Sequence, residues 1–359
     1  MARFPHSSIC SSYGYISSLQ FLKIFTSLLL CHAASAELYN FSDRATQGKC
    51  NGLVLSSGGT RGSYEAGAIF GLTQGLPAAD VKWHIVSGVS IGSINSLSAM
   101  PFQLGEESSW AKFLQSVWST IQQSDVYQEW PFREIEGLLF KSGIYDYSPF
   151  EVYLNKTLRS ISEQFRTDRQ IIISATNIAN GAQKVWTEKE NVSMLIDAAI
   201  ASSSIPGVFP VKKIGEEEYV DGSVIATVNI QDAITQCMAK DEVKHPSDIT
   251  IDIIACTPLN LNDSNVDFTD QNVLNILLRA NYLSSYGNMR RMISSAQKTY
   301  PEVNFRFLIA PNMTLPNKGL DFDRDNLLHI FELGKDDGLK AANEYRLEKS
   351  RYMFKTTSF

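Results

Sequence analysis

A serine set between two glycines, Gly88-Val89-Ser90-Ile91-Gly92, is the stretch of this chain best suited to chemistry. A G-x-S-x-G turn between a strand and a helix lifts the serine hydroxyl above the end of a sheet, where only glycine fits beside so sharp a reversal. The N–H of the next residue then points at the oxygen of a bound carbonyl. Five residues at this spacing also occur as a glycine-rich turn with a capping serine, so the motif draws its weight from its surroundings. One βα unit earlier runs Ser57-Gly58-Gly59-Thr60-Arg61-Gly62. A glycine loop at a helix start bares successive backbone N–H groups and aims them outward, and such a loop binds an anion. A phosphate would suit it, although G-x-x-x-x-G-K-[ST] and G-x-G-x-x-G are both absent. The transient oxyanion of acyl transfer would suit it equally, since that charge needs donors about 3 Å away. The bland alternative is a tight βα turn with no chemistry.

The neighbouring residues supply the elements these motifs need. Val81, Trp83, Ile85 and Val86 form a β-prone run into the serine turn, and Ile91 to Met100 is helix-compatible. Gly52 to Ser56 reads as a buried strand ahead of the glycine loop, and Ala66, Ile69, Phe70 and Leu72 mark a helix behind it. Ile171 to Ala175 is a further buried strand, and Asn180-Gly181 turns it into a hairpin with Gln183 to Thr187. Asp248 to Thr257 and Phe305 to Ala310 add strands, while Val273, Ile276, Leu277 and Ala280 open a long helix reaching about Ala296. The tail from Asp325 to Lys349 is predicted helical, with breaks near Gly334 and Gly338.

A third element completes a pattern. Tyr219-Val220-Asp221-Gly222-Ser223 follows a small-residue block, Ala198 to Ser204, and a Pro-rich stretch, Pro206-Gly207-Val208-Phe209-Pro210. Glycine loop, serine turn and Asp-Gly, in that order and spacing, resemble the patatin-like phospholipase family. The likeness is firm from Gly52 to Val224 and looser beyond. It implies a three-layer α/β/α fold with a mostly parallel central sheet flanked by helices. It also implies a catalytic domain over 52–310 and a C-terminal helical tail over 311–359 packed on it. By the same resemblance, Ser90 is the nucleophile and Asp221 acts directly as its base, without a histidine. Gly88 and Gly92 shape the elbow, Gly222 belongs to the aspartate motif, and Gly58, Gly59, Thr60, Arg61, Gly62 and Ile91 build the oxyanion hole. The implied substrate is a fatty-acyl ester of a phospholipid or related glycerolipid, cleaved through an acyl-enzyme with no metal and no cofactor. Two positions depart from the pattern: Ser57 stands for the first loop glycine, and Ser223 for the Gly or Ala after Asp-Gly.

Two rival readings stand beside this one. An α/β-hydrolase triad runs Ser, Asp, His in chain order, and His329 lies late enough to serve, although within a helical run. A catalytically silent lipid-binding or storage protein on the same scaffold is the other, since a fold alone does not guarantee chemistry.

Composition narrows the class. With 359 residues, 44% of them hydrophobic, the chain buries a full-sized core and reads as one large globular domain. The net charge of −6 and the lack of a basic stripe argue against nucleic acid as a partner. Residues 1–36 have signal-peptide anatomy: Arg3 and Lys23, the apolar run Ile24 to Leu30, and the A-x-A site Ala34-Ser35-Ala36. A short lead segment, 37–51, precedes the domain. Sequons at Asn40, Asn155, Asn191, Asn262 and Asn312 suit a glycosylated protein on the secretory route, secreted or in a lysosome-like lumen. No run is long and apolar enough to span a bilayer. Cleavage of the leader leaves Cys50, Cys237 and Cys256, which allow one disulfide without naming its partners. Trp110, Phe113, Leu114, Val117, Trp118 and Ile121 form a helical stripe expected to face the core. Trp130 to Phe132 and Leu138 to Phe140 are less periodic, and read either as core or as an apolar rim that meets a lipid surface.

Overall fold

Apolar and β-branched runs without a polar face build a sheet covered on both sides. The computed structural model describes residues 49–159, 168–261, 269, 271–315 and 320–356. The expected leader, nearly all of the lead segment and the sequons at Asn40 and Asn262 lie outside the described residues. In chain order the elements are β1 (Cys50–Leu55), α1 (Gly62–Gly75), β2 (Ile85–Val89), α2 (Ile91–Leu97) and α3 (Glu107–Thr120). Then come α4 (Gln123–Val126), β3 (Gln128–Glu129), α5 (Arg133–Phe140), β4 (Tyr145–Asp146), α6 (Ser148–Arg159), β5 (Gln170–Asn177) and β6 (Gln183–Thr187). The remainder is α7 (Val192–Ser202), β7 (Lys212–Ile214), β8 (Glu217–Val220), α8 (Ile230–Met238), β9 (Ile249–Ile254), α9 (Val273–Thr299), β10 (Asn304–Ile309) and α10 (Arg324–Thr356).

The main sheet has the order β10-β9-β1-β2-β5-β8-β7, with β6 also paired to β5. Neighbours from β10 through β5 are parallel, whereas β6, β7 and β8 run antiparallel to their partners. Helices flank this sheet, so the α/β architecture expected from the sequence is the one observed. The register of β5 determines where β2 and β8 end. Ser87, Gly88 and Val89 of β2 pair with Ile172, Ile173 and Ser174, whose other edge carries β6. Thr176 pairs with Gln183 of β6 and with Val220 of β8. Because β6 occupies the far edge, β2 and β8 must share the near one. They approach each other head to head along it, and Ser90 and Asp221 are the residues where each strand gives out.

Two buried ion pairs brace the sheet. Arg169, just before β5, meets Glu107 at 2.7 Å with both side chains fully buried. Asp252 of β9 pairs with Arg306 of β10 and accepts a 2.7 Å hydrogen bond from the Trp83 indole. The cysteine pairing that the sequence left open is Cys50–Cys237, which ties the start of β1 to α8. Cys256 remains free and buried.

The tail corrects one expectation. Residues 324–356 form a single helix that passes through Gly334 and Gly338 without a break. Low helix propensity made those glycines read as interruptions; they are points of contact. A Cβ on Gly334 would stand 2.1 Å from the Tyr64 carbonyl oxygen, and one on Gly338 2.4 Å from that of Ala68. Gly67 and Gly71 of α1 return the contact, with added Cβ atoms 2.0 Å and 2.2 Å from the carbonyl oxygens of Phe331 and Lys335. Glycines four apart on both helices let the two backbones touch.

Backbone cannot yield as a side chain does. Gly71→Leu is therefore expected to lower the unfolding free energy by about 3 kcal/mol or more, read from urea denaturation. Gly287→Ala in α9 is the control, because its Cβ would meet only the Arg291 guanidinium at 3.4 Å. It should be neutral or gain up to about 1 kcal/mol.

Candidate active site

Beyond Val89 the chain reverses at Ser90, whose φ of 56° and ψ of −124° make it the one non-glycine residue with positive φ among those described. Such a conformation costs on the order of 1–3 kcal/mol and persists only where surrounding contacts enforce it. Here they do. The Ser90 N–H donates to Ser202 Oγ at 2.8 Å, and that hydroxyl donates to the Ser174 carbonyl at 2.6 Å. The Ser90 carbonyl accepts from the N–H and the hydroxyl of Ser93. The flanking glycines are required by close approach. A Cβ on Gly88 would sit 2.0 Å from the Gly92 carbonyl oxygen, and one on Gly92 2.7 Å from that of Ser56.

Asp221 arrives from the end of β8. Its N–H donates to the Ser204 carbonyl at 2.8 Å, and its Oδ1 accepts from the Ser223 N–H at 2.8 Å. Oδ2 accepts from Ser90 Oγ at 2.6 Å. Gly222 is pressed against the Ser174 carbonyl, 2.4 Å from where a Cβ would lie. The carboxyl group is buried, and that burial raises its pKa; hydrogen bonds from Ser90 and Ser223 oppose the shift. Asn229 closes the arrangement from behind. Its Nδ2 donates to the Gly88 carbonyl at 3.2 Å, and its Oδ1 accepts from Ser174 Oγ at 3.0 Å. Ser174, Ser202, Ser204 and Asn229 were not singled out from sequence; the one signal was the Ser202-Ser203-Ser204 run at the end of α7.

The glycine loop separates into used and unused amides. The Arg61 N–H donates back to Gly58, and that of Gly62 to Gly59 and Thr60. Those two amides, included in the expected oxyanion hole, are committed inside the loop because it winds into a 3₁₀ turn over Gly59–Arg61. Among the described residues, the N–H groups of Gly58, Gly59, Thr60 and Ile91 have no protein acceptor. Gly59, Thr60 and Ile91 line a cavity together with Ser90. Gly58 instead forms the loop's underside, where a Cβ would be 2.4 Å from that of Cys256. The Thr60 hydroxyl is buried at the cavity without a protein partner. The Arg61 guanidinium lies 4.8 Å from the centre of the Tyr282 ring.

Beneath the loop lies Glu65, fully buried in α1. Its Oε1 accepts from the Ser56 N–H at 2.8 Å and its Oε2 from Asn95 Nδ2 at 2.9 Å. Asn95 also donates to the Gly62 carbonyl at 3.1 Å and accepts from the Trp118 indole at 3.1 Å. One carboxyl group thus joins the exit of β1, the glycine loop, α2 and a wall of the cavity. Burial pushes it up to about 8, with the Asn95 and Ser56 hydrogen bonds pulling the other way.

The cavity holds about 890 Å³, counted out to its open mouth, and its wall is overwhelmingly apolar. The α3 stripe divides its labour. Trp110 is core, as expected, while Phe113, Leu114, Val117, Trp118 and Ile121 reach the cavity. Phe132, Leu139 and Phe140 are exposed and so are not core, whereas Trp130 is half-buried with its indole donating to the Gly143 carbonyl at 3.0 Å. His329 is exposed on α10 and forms no part of the cavity wall, so the triad reading finds no support in the geometry. Among the described residues no His, Cys, Asp or Glu cluster could hold a metal ion.

A family model described as patatin-like phospholipase matches residues 53–234. The chain is 28% identical over 196 residues to the "Probable lipid hydrolase 463L" of Invertebrate iridescent virus 6, spanning 54% of this chain and 66% of that protein. Among solved structures, VipD from Legionella pneumophila is similar at 11% identity, covering 83% of this chain and 67% of that one, with a TM-score of 0.41.

Glu65 carries a testable consequence. An acid whose folded-state pKa lies above its unfolded value holds its proton longer in the fold. Its stabilising share is therefore complete below about 4.5 and is lost as pH rises towards about 8. Urea unfolding should give a stability that declines across this window, and the decline should be shallower in Glu65→Gln, whatever that variant's baseline.

Proposed function

The chain belongs to the patatin-like phospholipase family, and from that premise we propose that it is a lipid acyl hydrolase working through Ser90 and Asp221. The observation that carries this reading is the 2.6 Å hydrogen bond to Asp221 Oδ2 from Ser90 Oγ, whose residue lines an apolar cavity. A serine hydroxyl is a poor nucleophile until a base within about 2.6–3.2 Å takes its proton. Burial improves Asp221 as that base by raising its proton affinity. As Ser90 Oγ bonds to the ester carbonyl carbon, its proton passes to Asp221 Oδ2 and the carbonyl oxygen becomes an oxyanion. The amides of Gly59, Thr60 and Ile91 are the donors disposed to hold that charge. Collapse breaks the bond to the alcohol oxygen, which leaves with the proton from Asp221. Water then attacks the acyl-enzyme with the same carboxylate as base, releasing fatty acid and restoring Ser90.

The carbon-rich cavity favours a fatty-acyl chain as the part of the substrate held before attack, and the phospholipid or glycerolipid ester as its class. We also place the protein on the secretory route. The Cys50–Cys237 bridge supports this, since structural disulfides persist in oxidising compartments.

Purified wild type should release fatty acid from defined phospholipids and take a fluorophosphonate label. Ser90→Ala should lose both, and Asp221→Asn should lower turnover by about 10³-fold or more with folding intact, a loss of the size removal of a general base commonly brings. His329→Ala should leave turnover within about twofold. Because the active form is the carboxylate and its pKa is raised, activity should fall as pH drops through that pKa, and the acid limb should vanish in Asp221→Asn. Full activity of Asp221→Asn would end this reading.

The disulfide has its own test. Cys50→Ser should cost roughly 2–5 kcal/mol of unfolding free energy, matched in wild type by added reductant.

A further inference from the structure

Helix α9 is longer than the layer it covers. Its 27 residues extend about 40 Å, whereas the six residues of β10, into which it leads, extend about 20 Å. Among the described residues its buried side chains, Met289, Ile293 and Ala296, all lie in its second half. The first half passes beyond the C-terminal ends of the strands, the end at which Ser90 sits. Contacts fix this placement: Tyr286 OH donates to the Leu259 carbonyl at 3.0 Å, just past β9, and Asn288 Nδ2 to the Ile225 carbonyl at 3.1 Å, in the turn after Asp221.

On this projecting half Val273, Ile276, Leu277 and Ala280 recur at i, i+3, i+4 and i+7 and are all exposed, Val273 by 76% and Leu277 by 61%. Val224 and Ile225, in the turn that follows Asp221, are exposed as well. At 100° per residue the same helical face continues into Arg291 and Lys298, both exposed. The charge pattern is one-sided. The helix holds Arg279, Arg290, Arg291 and Lys298 and no acidic residue, in a chain of net charge −6. An apolar stripe with only basic residues is the composition that settles into the headgroup boundary of an anionic bilayer. At the other exposed apolar cluster, Phe132, Leu139 and Phe140, Lys141 is ion-paired with Glu136 at 3.4 Å, so the charge there cancels.

We propose that the face of α9 bearing Val273, Ile276, Leu277, Ala280, Arg291 and Lys298 docks the protein on a negatively charged lipid surface. The inference rests on the hydrolase reading for its purpose, because the apolar half of this face lies at the end of the sheet where Ser90 sits.

The test is co-sedimentation of the full chain with phosphatidylcholine vesicles, with and without phosphatidylserine. Hydrolysis of a soluble short-chain ester is followed in parallel. Wild type should partition to the anionic vesicles at least about tenfold more strongly than to the neutral ones. Val273→Asp with Leu277→Asp should weaken that binding by about 100-fold, and Arg291→Glu with Lys298→Glu by at least about tenfold. Both double variants should turn over the soluble ester as wild type does. Wild type that hydrolyses the soluble ester yet ignores the charge of the vesicles overturns the docking and leaves the Ser90–Asp221 reading intact. So does a wild-type dimer that Leu277→Asp splits, which would assign the stripe to a second copy of the chain. Binding that follows the pattern with no hydrolysis of any ester supports the docking and removes the hydrolase reading.

Discussion

Strand β5 lends one edge to two strands that come from opposite directions, and the site exists because neither can continue past the other. β2 pairs as far as Ser174 and β8 begins its pairing at Thr176. Any extension of either ladder would collide with its counterpart. The chain must leave the sheet at both points, and the residues that do so are Ser90 and Asp221. Their separation is therefore set by the hydrogen-bond register of a buried strand, which slips only by moving every side chain to the wrong face. A geometry held in this way is stiffer than one built on two loops.

The strain at Ser90 has to be balanced locally, and serine hydroxyls do most of that. Ser202 bridges the Ser90 amide to the Ser174 carbonyl, Ser93 covers the Ser90 carbonyl, and Ser174 and Asn229 hold the strand behind Gly88. A second brace acts from below, where Glu65 and Asn95 tie the glycine loop to α2 and to Trp118. Buried polar networks of this kind stabilise only when every member is satisfied. The exception is informative: the Thr60 hydroxyl and a few backbone amides face the cavity without a protein partner, and on the proposed mechanism that is where the substrate oxygen would lie.

The serine turn, the glycine loop and the Asp-Gly pair were legible in the sequence because each depends on local conformation. A glycine beside a reversal announces itself wherever it occurs. The shared edge of β5 was not legible, since register between strands far apart in the chain leaves no local mark. The same holds for the Ser202 and Asn229 contacts and for the Cys50–Cys237 pairing. Gly334 and Gly338 show the limit from another side. Low helix propensity cannot distinguish a helix that breaks from one whose neighbour comes too close for a side chain. The α3 stripe shows it again: periodicity identified the apolar face, but Trp110 meets protein and Phe113 meets a cavity. Spacing says which residues share a face and is silent about what that face meets.

A dyad without histidine places a demand on the substrate that a triad does not. On the proposed mechanism, Asp221 Oδ1 is occupied by the Ser223 amide, so Oδ2 alone both receives the Ser90 proton and returns it. The leaving oxygen must therefore come within hydrogen-bond reach of that one atom. On the same mechanism the acyl chain would lie in the cavity that Val117, Ile121 and Phe209 line with Ser90. Headgroup and acyl chain are thus drawn apart across Ser90, the first towards the turn that follows Asp221 and the second into carbon. Selectivity for the chain can then reside in α3 while selectivity for the headgroup resides near Val224 and α9. These are separate elements, so the two preferences can be altered independently.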